Sequence, residues 1–278
     1  MISQYDFRSL QHERRMLDVY RSRVTRESVV LQPLANACWR ASAFEWQLYR
    51  DSDVIRRLWE ERSRALADGF VRKRIRPEQL PEQLILAMHL ALASRSFELV
   101  RRLTHLTLNY QRTKPGRSRL FLTDAYIAIA RTLFEERRES IETIQRLLDE
   151  ARSELDRELK TSQFVSSREA LWKADEHDLT CSLLKLVASL LSTGIDLSIE
   201  SKFASLMDSA LRQVDQFVEG ETNHRPKFYF WLPGIALTVL AEKAGLSLDW
   251  LEARHSEKNP LYTRLPLKLI DQTMSDML

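Results

Sequence analysis

The chain has 278 residues, with 42 Lys and Arg, 39 Asp and Glu, and only 6 Gly, 8 Pro and 2 Cys. Gly makes up about 2% of the chain instead of the usual ~7%, which leaves little material for the glycine-rich loops that bind phosphate groups. Two Cys cannot form a disulfide framework and are typical of a reducing compartment. The longest apolar runs are shorter than the ~20 residues that a membrane helix needs. We therefore expect a helix-rich cytoplasmic protein with no cofactor and no membrane segment.

Three helical patterns occupy the N-terminal part of the chain. Apolar residues at helical spacing run from Phe7 to Val24, from about Pro33 to Leu48, and from Val54 to Ala67. Pro33 suits a first helical turn, where the missing N–H would have no partner. Asp51 is predicted to cap the third helix with its carboxylate, and Gly69 to end it.

Four pairs of helical segments follow. In each pair a strongly apolar arm precedes an amphipathic arm, as expected when inner helices are covered by outer ones. Ser96 is predicted to cap the second arm of the first pair, and Gly194 and Gly245 divide the last two pairs. The paired arms are residues 84–93 with 97–109, 120–134 with 140–159, 179–191 with 200–218, and 228–244 with 247–253.

These patterns together predict an all-α protein. We expect an irregular helical bundle of about ten helices, built from successive αα-hairpins, because the spacing is too uneven for a solenoid with a fixed repeat. The chain is expected to be a single domain spanning residues 1–278, with any boundary between two halves near residues 69–81.

Two groups of residues are candidates for a catalytic or metal site. The acidic residues 175–178 surround His177, and Cys181 lies four positions further on, on the same helix face. A closed zinc site needs four ligands, so an acidic first helical turn without metal is favoured. His89 and His105 lie on the two arms of one pair and could face each other. With no carboxylate or nucleophile nearby in the sequence, they are interpreted as structural, and the protein as a non-enzyme.

Charge is distributed unevenly along the chain. Residues 1–120 contain 23 Lys and Arg against 13 Asp and Glu, whereas residues 121–278 contain 19 against 26. The net charge of +3 therefore conceals a basic N-terminal part and an acidic C-terminal part. The total is too small to indicate a nucleic-acid-binding protein. A charged surface that binds another protein is the better interpretation.

Two blocks of sequence resemble a known family. The first is Leu-Ala-Leu-Ala-Ser-Arg-Ser-Phe-Glu-Leu-Val-Arg-Arg-Leu at residues 90–103. The second is Leu-Pro-Gly-Ile-Ala-Leu-Thr-Val-Leu-Ala-Glu-Lys-Ala-Gly-Leu at residues 232–246, followed by Asn-Pro-Leu-Tyr-Thr-Arg-Leu-Pro at 259–266. These blocks resemble the all-helical immunity proteins of bacterial polymorphic-toxin systems, of the immunity protein 49 type, and the C-terminal pattern is also similar to the helical immunity partners of secreted nuclease toxins. The resemblance implies a cytoplasmic antitoxin that binds a cognate toxin domain and occludes it, with no chemistry of its own.

Two surfaces are candidates for binding such a toxin. A basic surface would favour an acidic toxin face, whereas an acidic surface would favour a toxin that binds nucleic acid, and the sequence leaves both open. The basic set is Arg56, Arg57, Arg62, Arg64, Arg72, Lys73, Arg74 and Arg76, with Trp59 either a central anchor or a core residue. The acidic set is Glu135, Glu136, Glu139, Glu142, Glu150 and Glu154, accompanied by Asp149, Asp156 and Glu158.

Other functions are compatible with the same helices. One is a helical scaffold or regulatory adaptor that holds a peptide in a groove between hairpins. Another is an enzyme with a ligand pocket in the bundle core. Binding to many partners would favour the scaffold or adaptor. A bound metal ion or turnover of a substrate would favour the enzyme. The sequence makes no prediction of oligomeric state.

Overall fold

A computed structural model describes residues 4–24, 27–48, 51–72, 80–106, 117–135, 139–161, 168–194, 197–219 and 232–247. These residues form ten α-helices and no strand, which confirms the predicted all-α bundle of about ten helices. A short 3-10 helix, Ser28–Val30, precedes the second α-helix. The helices are α1 (Gln4–Val24), α2 (Leu31–Leu48), α3 (Ser52–Val71), α4 (Leu80–Ala93), α5 (Phe97–Thr104), α6 (Arg117–Phe134), α7 (Ile141–Thr161), α8 (Arg168–Thr193), α9 (Leu197–Glu219) and α10 (Leu232–Lys243).

The three N-terminal helices pack side by side, with α2 between α1 and α3. The carboxylate of Asp51 accepts hydrogen bonds from the backbone N–H groups of Asp53 and Val54, both at 3.0 Å, which confirms the predicted cap. The predicted stop at Gly69 is wrong. The helix continues to Val71 because the N–H of Arg72 still reaches the carbonyl of Asp68 at 2.9 Å, and one Gly inside a helix costs only ~1 kcal/mol.

The centre of the molecule is formed by α4 and α10. Although α10 is the last described helix, it packs against α4, α6 and α8. Nine residues of α10 are buried, Leu232 and the run Gly234–Ala241, so the helix is apolar on all sides. A helix that is apolar all round must lie inside the fold, because no face of it can be solvated favourably.

The remaining helices contact one another in chain order, from α5 through α9. The predicted arm 97–109 is shorter than expected. Its helix ends at Thr104, whose carbonyl accepts a hydrogen bond from Arg131 Nη2 at 2.6 Å, and a side chain thereby satisfies one of the terminal carbonyls. Residues 107–109, 228–231 and 248–253 of the predicted arms lie outside the described residues.

The eighth helix is longer than its apolar pattern predicted. It begins at Arg168, and residues 175–178 lie within it rather than in a first turn. The expectation of an acidic first turn is therefore wrong: Ala174 and His177 are buried and continue the helix face that packs inward. Gly194 and Gly245 follow α8 and α10 with φ angles of 75° and 98°, as suits the residue after a helix end.

Two further observations concern the whole arrangement. In the described part of the chain, no helix combines the length and the apolar character that crossing a membrane requires. The position considered for a boundary between two halves, near residues 69–81, lies between α3 and α4. These two helices pack against each other.

Candidate interaction surfaces

Trp59 lies in the core rather than on the binding surface. Its side chain is 0% exposed, and its Nε1–H donates to the hydroxyl of Ser42 at 3.3 Å. The residue shares the inward face of α3 with Ile55 and Leu66, which are spaced at helical intervals around it. A surface anchor must be reachable by the partner, so the expectation of Trp59 as an anchor is corrected and the core interpretation holds.

Two arginines of the basic set are turned partly inward. Arg56 Nη2 donates to Asp53 Oδ1 at 2.7 Å, and only 17% of the Arg56 side chain is exposed. The guanidinium of Arg62 stacks on the ring of Trp39 at 4.6 Å from its centroid. Burial lowers the pKa of Arg62 to about 10. Both side chains are therefore engaged within the helical layer instead of extending toward a partner.

The exposed members of the basic set are Arg57, Arg64 and Arg72. Arg57 and Arg64 line an open groove of about 450 Å³ between the three N-terminal helices, which we call the α1–α3 groove. Lys73, Arg74 and Arg76 follow Arg72 directly in the sequence and lie outside the described residues. The full lining of the groove is Arg21, Val24, Leu31, Leu34, Arg57, Glu60, Glu61, Arg64, Ala65 and Asp68.

Ion pairs neutralise the carboxylates of this groove. Arg21 donates from Nε and Nη2 to the two oxygens of Glu61, at 2.7 and 2.6 Å. Arg64 donates to Glu60 at 2.7 Å, and Arg102 of α5 donates to Asp68 at 2.6 Å. Each negative charge in the groove is therefore held by an arginine of the same protein, and the paired arginines are correspondingly less available to a partner.

The N-terminal charge excess lies mostly elsewhere. Within the described residues of 4–72, eleven Arg stand against ten Asp and Glu, so these three helices are nearly neutral. More than half of the excess belongs to segments outside the described residues, at Arg26, Arg50, Lys73, Arg74, Arg76, Arg112 and Lys114. The basic excess of residues 1–120 is therefore carried only in part by the described helices, where 16 Lys and Arg stand against 12 Asp and Glu.

The acidic set is also divided by the structure. Glu135 accepts from the hydroxyl of Thr104 and lies 3.6 Å from Nε2 of His105. Glu139 pairs with Arg131 at 3.8 Å. Glu135 thus connects the ends of α5 and α6, and Glu139 pairs with an arginine of α6, so both act within the fold. Glu136 lies outside the described residues.

Along α7, acidic and basic side chains alternate around a second groove of about 630 Å³. Glu154 is buried and accepts from Arg157 at 2.6 Å, with Arg117 of α6 at 3.6 Å. Glu142 and Glu150 line the groove together with Arg146. Basic residues of α6 and α7 are thus mixed with the predicted acidic face, and the surface is not uniformly negative. Asp149 pairs with Lys185, Asp156 is exposed, and Glu158 accepts from the hydroxyl of Ser118 at 2.8 Å.

The cysteines and two of the candidate histidines are enclosed in the fold. Cys38 and Cys181 are both 0% exposed, and burial raises the pKa of each thiol, that of Cys181 to about 12. Burial lowers the pKa of His89 to about 3, and burial followed by the nearby charge of Arg119 lowers the pKa of His177 to about 4. In the described part of the chain, no three His, Cys, Asp or Glu side chains come together as metal ligands would.

The two histidines that were expected to face each other have different neighbours. His89 packs edge-on against the ring of Tyr126, with centroids 5.0 Å apart, in the interior between α4 and α6. His105 caps the end of α5, where 68% of its side chain is exposed. They do not form a paired site.

The turn between the predicted arms 84–93 and 97–109 has a backbone conformation and a distant ion pair that sequence reasoning missed. Arg95, between α4 and α5, has a φ of 55°, in the left-handed region where Gly is the usual residue. The N–H of Ser96 donates to the carbonyl of Ala91 at 2.9 Å. Ser96 is the N-cap residue of α5, as predicted, but its hydroxyl makes no capping hydrogen bond. Arg95 Nη2 donates to Glu242 Oε2 of α10 at 2.8 Å. An Arg at a position typical of Gly was the only signal in the sequence.

Comparison with known proteins adds no relative. The chain matches no family model, no curated protein and no solved structure.

Proposed function

We propose that this protein is a cytoplasmic immunity protein, which binds a cognate bacterial toxin domain and neutralises it by covering its functional surface. One observation carries the proposal. The two sequence blocks that resemble the immunity family, residues 90–103 and 232–246, lie far apart in the chain and pack together in the fold.

The contact between the blocks is specific. The first block supplies the end of α4, its turn and α5, and the second supplies α10. Beside the ion pair of Arg95 and Glu242, Lys243 Nζ lies 4.7 Å from the ring centroid of Phe97. Apolar helices meet in the core of any helical protein, so the ion pair and the Lys243–Phe97 contact are what distinguish this contact. The contact is compatible with one shared architecture behind both similarities.

The physical character of the molecule is compatible with inhibition by occlusion. Such an inhibitor needs a rigid scaffold that presents a surface, and a stable complex typically buries about 1,600 Å² in total. The helices are tied to one another by arginine pairs, such as Arg40 with Glu13 at 2.6 Å and Arg14 with Glu45 at 2.8 Å. Exposed arginines and open grooves on this scaffold are the features that a protein partner could contact.

Co-expression tests the proposal directly. The gene next to this one is expected to encode a secreted toxin, and its toxic domain would be expressed in a bacterial host with and without this protein. Survival should be restored by this protein and not by a helical protein of similar size, and the two partners should co-purify as one complex. Equal killing in the presence and absence of the protein contradicts the proposal.

A helical adaptor is the second candidate, and the apolar floor of the α1–α3 groove favours it. Leu31, Leu34 and Ala65 could hold the apolar side of a peptide segment. An adaptor would bind several unrelated proteins with similar affinity. An immunity protein would bind one toxin far more tightly than any other, so a comparison of dissociation constants separates the two.

A further inference from the structure

Two exposed valines lie close in the chain to residues at one end of the α1–α3 groove. Arg72 Nη1 lies 3.4 Å from the carbonyl of Val24, which brings the end of α3 beside the end of α1. Val29 and Val71 flank this region in the chain and are 68% and 59% exposed. Exposed apolar side chains next to a groove are typical of surfaces that bind other proteins.

The charged side chains in and beside the groove leave an excess of positive charge. Glu60, Glu61 and Asp68 each accept from an arginine. Arg57 is exposed in the groove wall and has no ion-pair partner among the described residues, and Arg72 contacts only a backbone carbonyl there. A group that approaches the groove therefore meets uncompensated positive charge, and a carboxylate can accept two parallel hydrogen bonds from a guanidinium.

The second groove, which is lined by residues of α6 and α7, lacks this imbalance. Its charged lining alternates between Arg and Glu or Asp, and its buried carboxylate, Glu154, is already paired with Arg157. Nothing in that lining selects one sign of charge. The α1–α3 groove is therefore the better defined of the two in the chemistry that it offers.

We propose that the α1–α3 groove binds an acidic segment of the partner protein that also carries apolar side chains. A carboxylate of that segment pairs with Arg57, and an apolar side chain contacts the exposed edges of Leu31, Leu34 and Ala65, which are 3%, 4% and 4% exposed in the groove floor. This inference rests on the proposed function for the identity of the partner, the toxin domain, but not for the chemistry of the groove.

The first experiment measures toxin binding by variants. Arg57→Glu should weaken binding of the purified toxin domain at least ~10-fold, the loss expected at the centre of an interface. Arg57→Lys keeps the charge but not the two parallel hydrogen bonds, so it should weaken binding less than Arg57→Glu does. Arg15→Glu makes the same charge change at an exposed position of α1 outside the groove and should bind like the wild type. Equal loss in Arg57→Glu and Arg15→Glu overturns the inference, because a general charge effect then explains it.

The second experiment needs no toxin. An amphipathic peptide of Glu and Leu, and a matched peptide with Lys in place of Glu, would be titrated into isotope-labelled protein. The Glu peptide should shift the amide signals of groove residues such as Arg57 and Ala65, and the Lys peptide should not. No shift at millimolar peptide, or equal shifts with both peptides, overturns the inference.

The outcomes separate the two proposals. If the wild type fails to protect cells while the Glu peptide binds the groove, the immunity function fails and the groove chemistry stands. If the wild type protects and Arg57→Glu protects and binds equally well, the groove inference fails and the function stands. A change in molecular mass of the free protein in Arg57→Glu, measured by light scattering, assigns the groove to a second copy of this chain and overturns the proposed occupant.

Discussion

The central helices and the N-terminal layer are held together in different ways. In the centre, nine residues of α10 are buried, and the ion pair of Arg95 with Glu242 is added to a contact that is otherwise apolar. In the N-terminal layer, apolar packing is joined by arginine pairs that cross between helices, Arg14 with Glu45, Arg40 with Glu13 and Arg21 with Glu61.

The apolar contacts of the centre mainly stabilise the fold, whereas the charges of the N-terminal layer mainly determine what the surface binds. Burial of apolar area contributes about 25 cal/mol per Å² and does not depend on direction, whereas an exposed ion pair contributes ~0–1 kcal/mol but fixes the rotation of a helix. Loss of a central side chain should therefore destabilise the fold strongly. Loss of an N-terminal charge should leave the fold intact and change what the surface binds.

The largest effect is expected in α10. Leu237→Ala removes a side chain that is 0% exposed and should lower the free energy of unfolding by ~2–5 kcal/mol, because it leaves a cavity in the tightly packed centre. Urea denaturation measures this change. Val29→Ala, at an exposed site before α2, is the matched control and should stay within ~0.5 kcal/mol of the wild type. Similarly small losses of unfolding free energy in both variants would contradict the proposed difference between the centre and the N-terminal layer.

The next effect is a loss of stability in acid. Burial lowers the folded pKa of His89 to about 3 and that of His177 to about 4, whereas an unfolded histidine titrates near ~6.5. Between these values only the unfolded chain takes up the protons, so stability falls as the pH decreases from about 6.5, by up to ~1.4 kcal/mol per pH unit for each histidine.

His89→Phe should make this pH dependence shallower by one proton, because the buried titrating ring is gone. Urea denaturation at several pH values between 7 and 5 checks it. His12→Gln, at an exposed position of α1, is the control and should keep the wild-type slope. An unchanged slope in His89→Phe contradicts the proposed burial of a neutral ring.

A smaller effect is expected at the turn of Arg95. Glu242→Ala leaves the mostly enclosed guanidinium without its carboxylate and should cost ~1–3 kcal/mol. Arg95→Gly and Arg95→Ala both lose the ion pair, but only Gly adopts the φ of 55° without strain. The Gly variant should therefore be more stable than the Ala variant by about 1 kcal/mol in thermal unfolding. The reverse order would mean that the left-handed turn is not populated in solution.

The smallest effect is expected on the outer face of α3. Arg64→Ala breaks a pair with Glu60 at the spacing of one helical turn and should change stability by less than ~0.5 kcal/mol. Glu60→Ala should do the same, and high salt should erase both differences. A loss as large as that of Leu237→Ala would place this exposed pair among the structural contacts and blur the distinction between the two regions.

The number and class of the helices could be predicted because local periodicity encodes them. The cap at Asp51 and the glycines after α8 and α10 could be predicted for the same reason, since each depends on residues within one turn. The start of α8 was missed because six of the eleven residues 168–178 are charged, and their buried face, at Ala174 and His177, shows only once the neighbouring helices are in place.

The binding surface was harder to predict because it depends on which way each side chain turns. Trp59 and Arg57 are two positions apart and lie on opposite sides of α3, although the apolar spacing of Ile55, Leu58 and Trp59 could have placed the tryptophan inside. The pairing of Arg95 with Glu242 joins residues 147 positions apart, and no local pattern in one sequence specifies such a partner.

Hydrogen exchange of the protein with and without its toxin tests most directly whether the N-terminal layer, and not the centre, recognises the partner. We predict slower exchange on complex formation around Val24, Leu31 and residues 57–71, with α10 unchanged because its amides are already protected. Protection confined to α7, around Glu142 and Glu150, would contradict the assignment and favour the acidic surface instead.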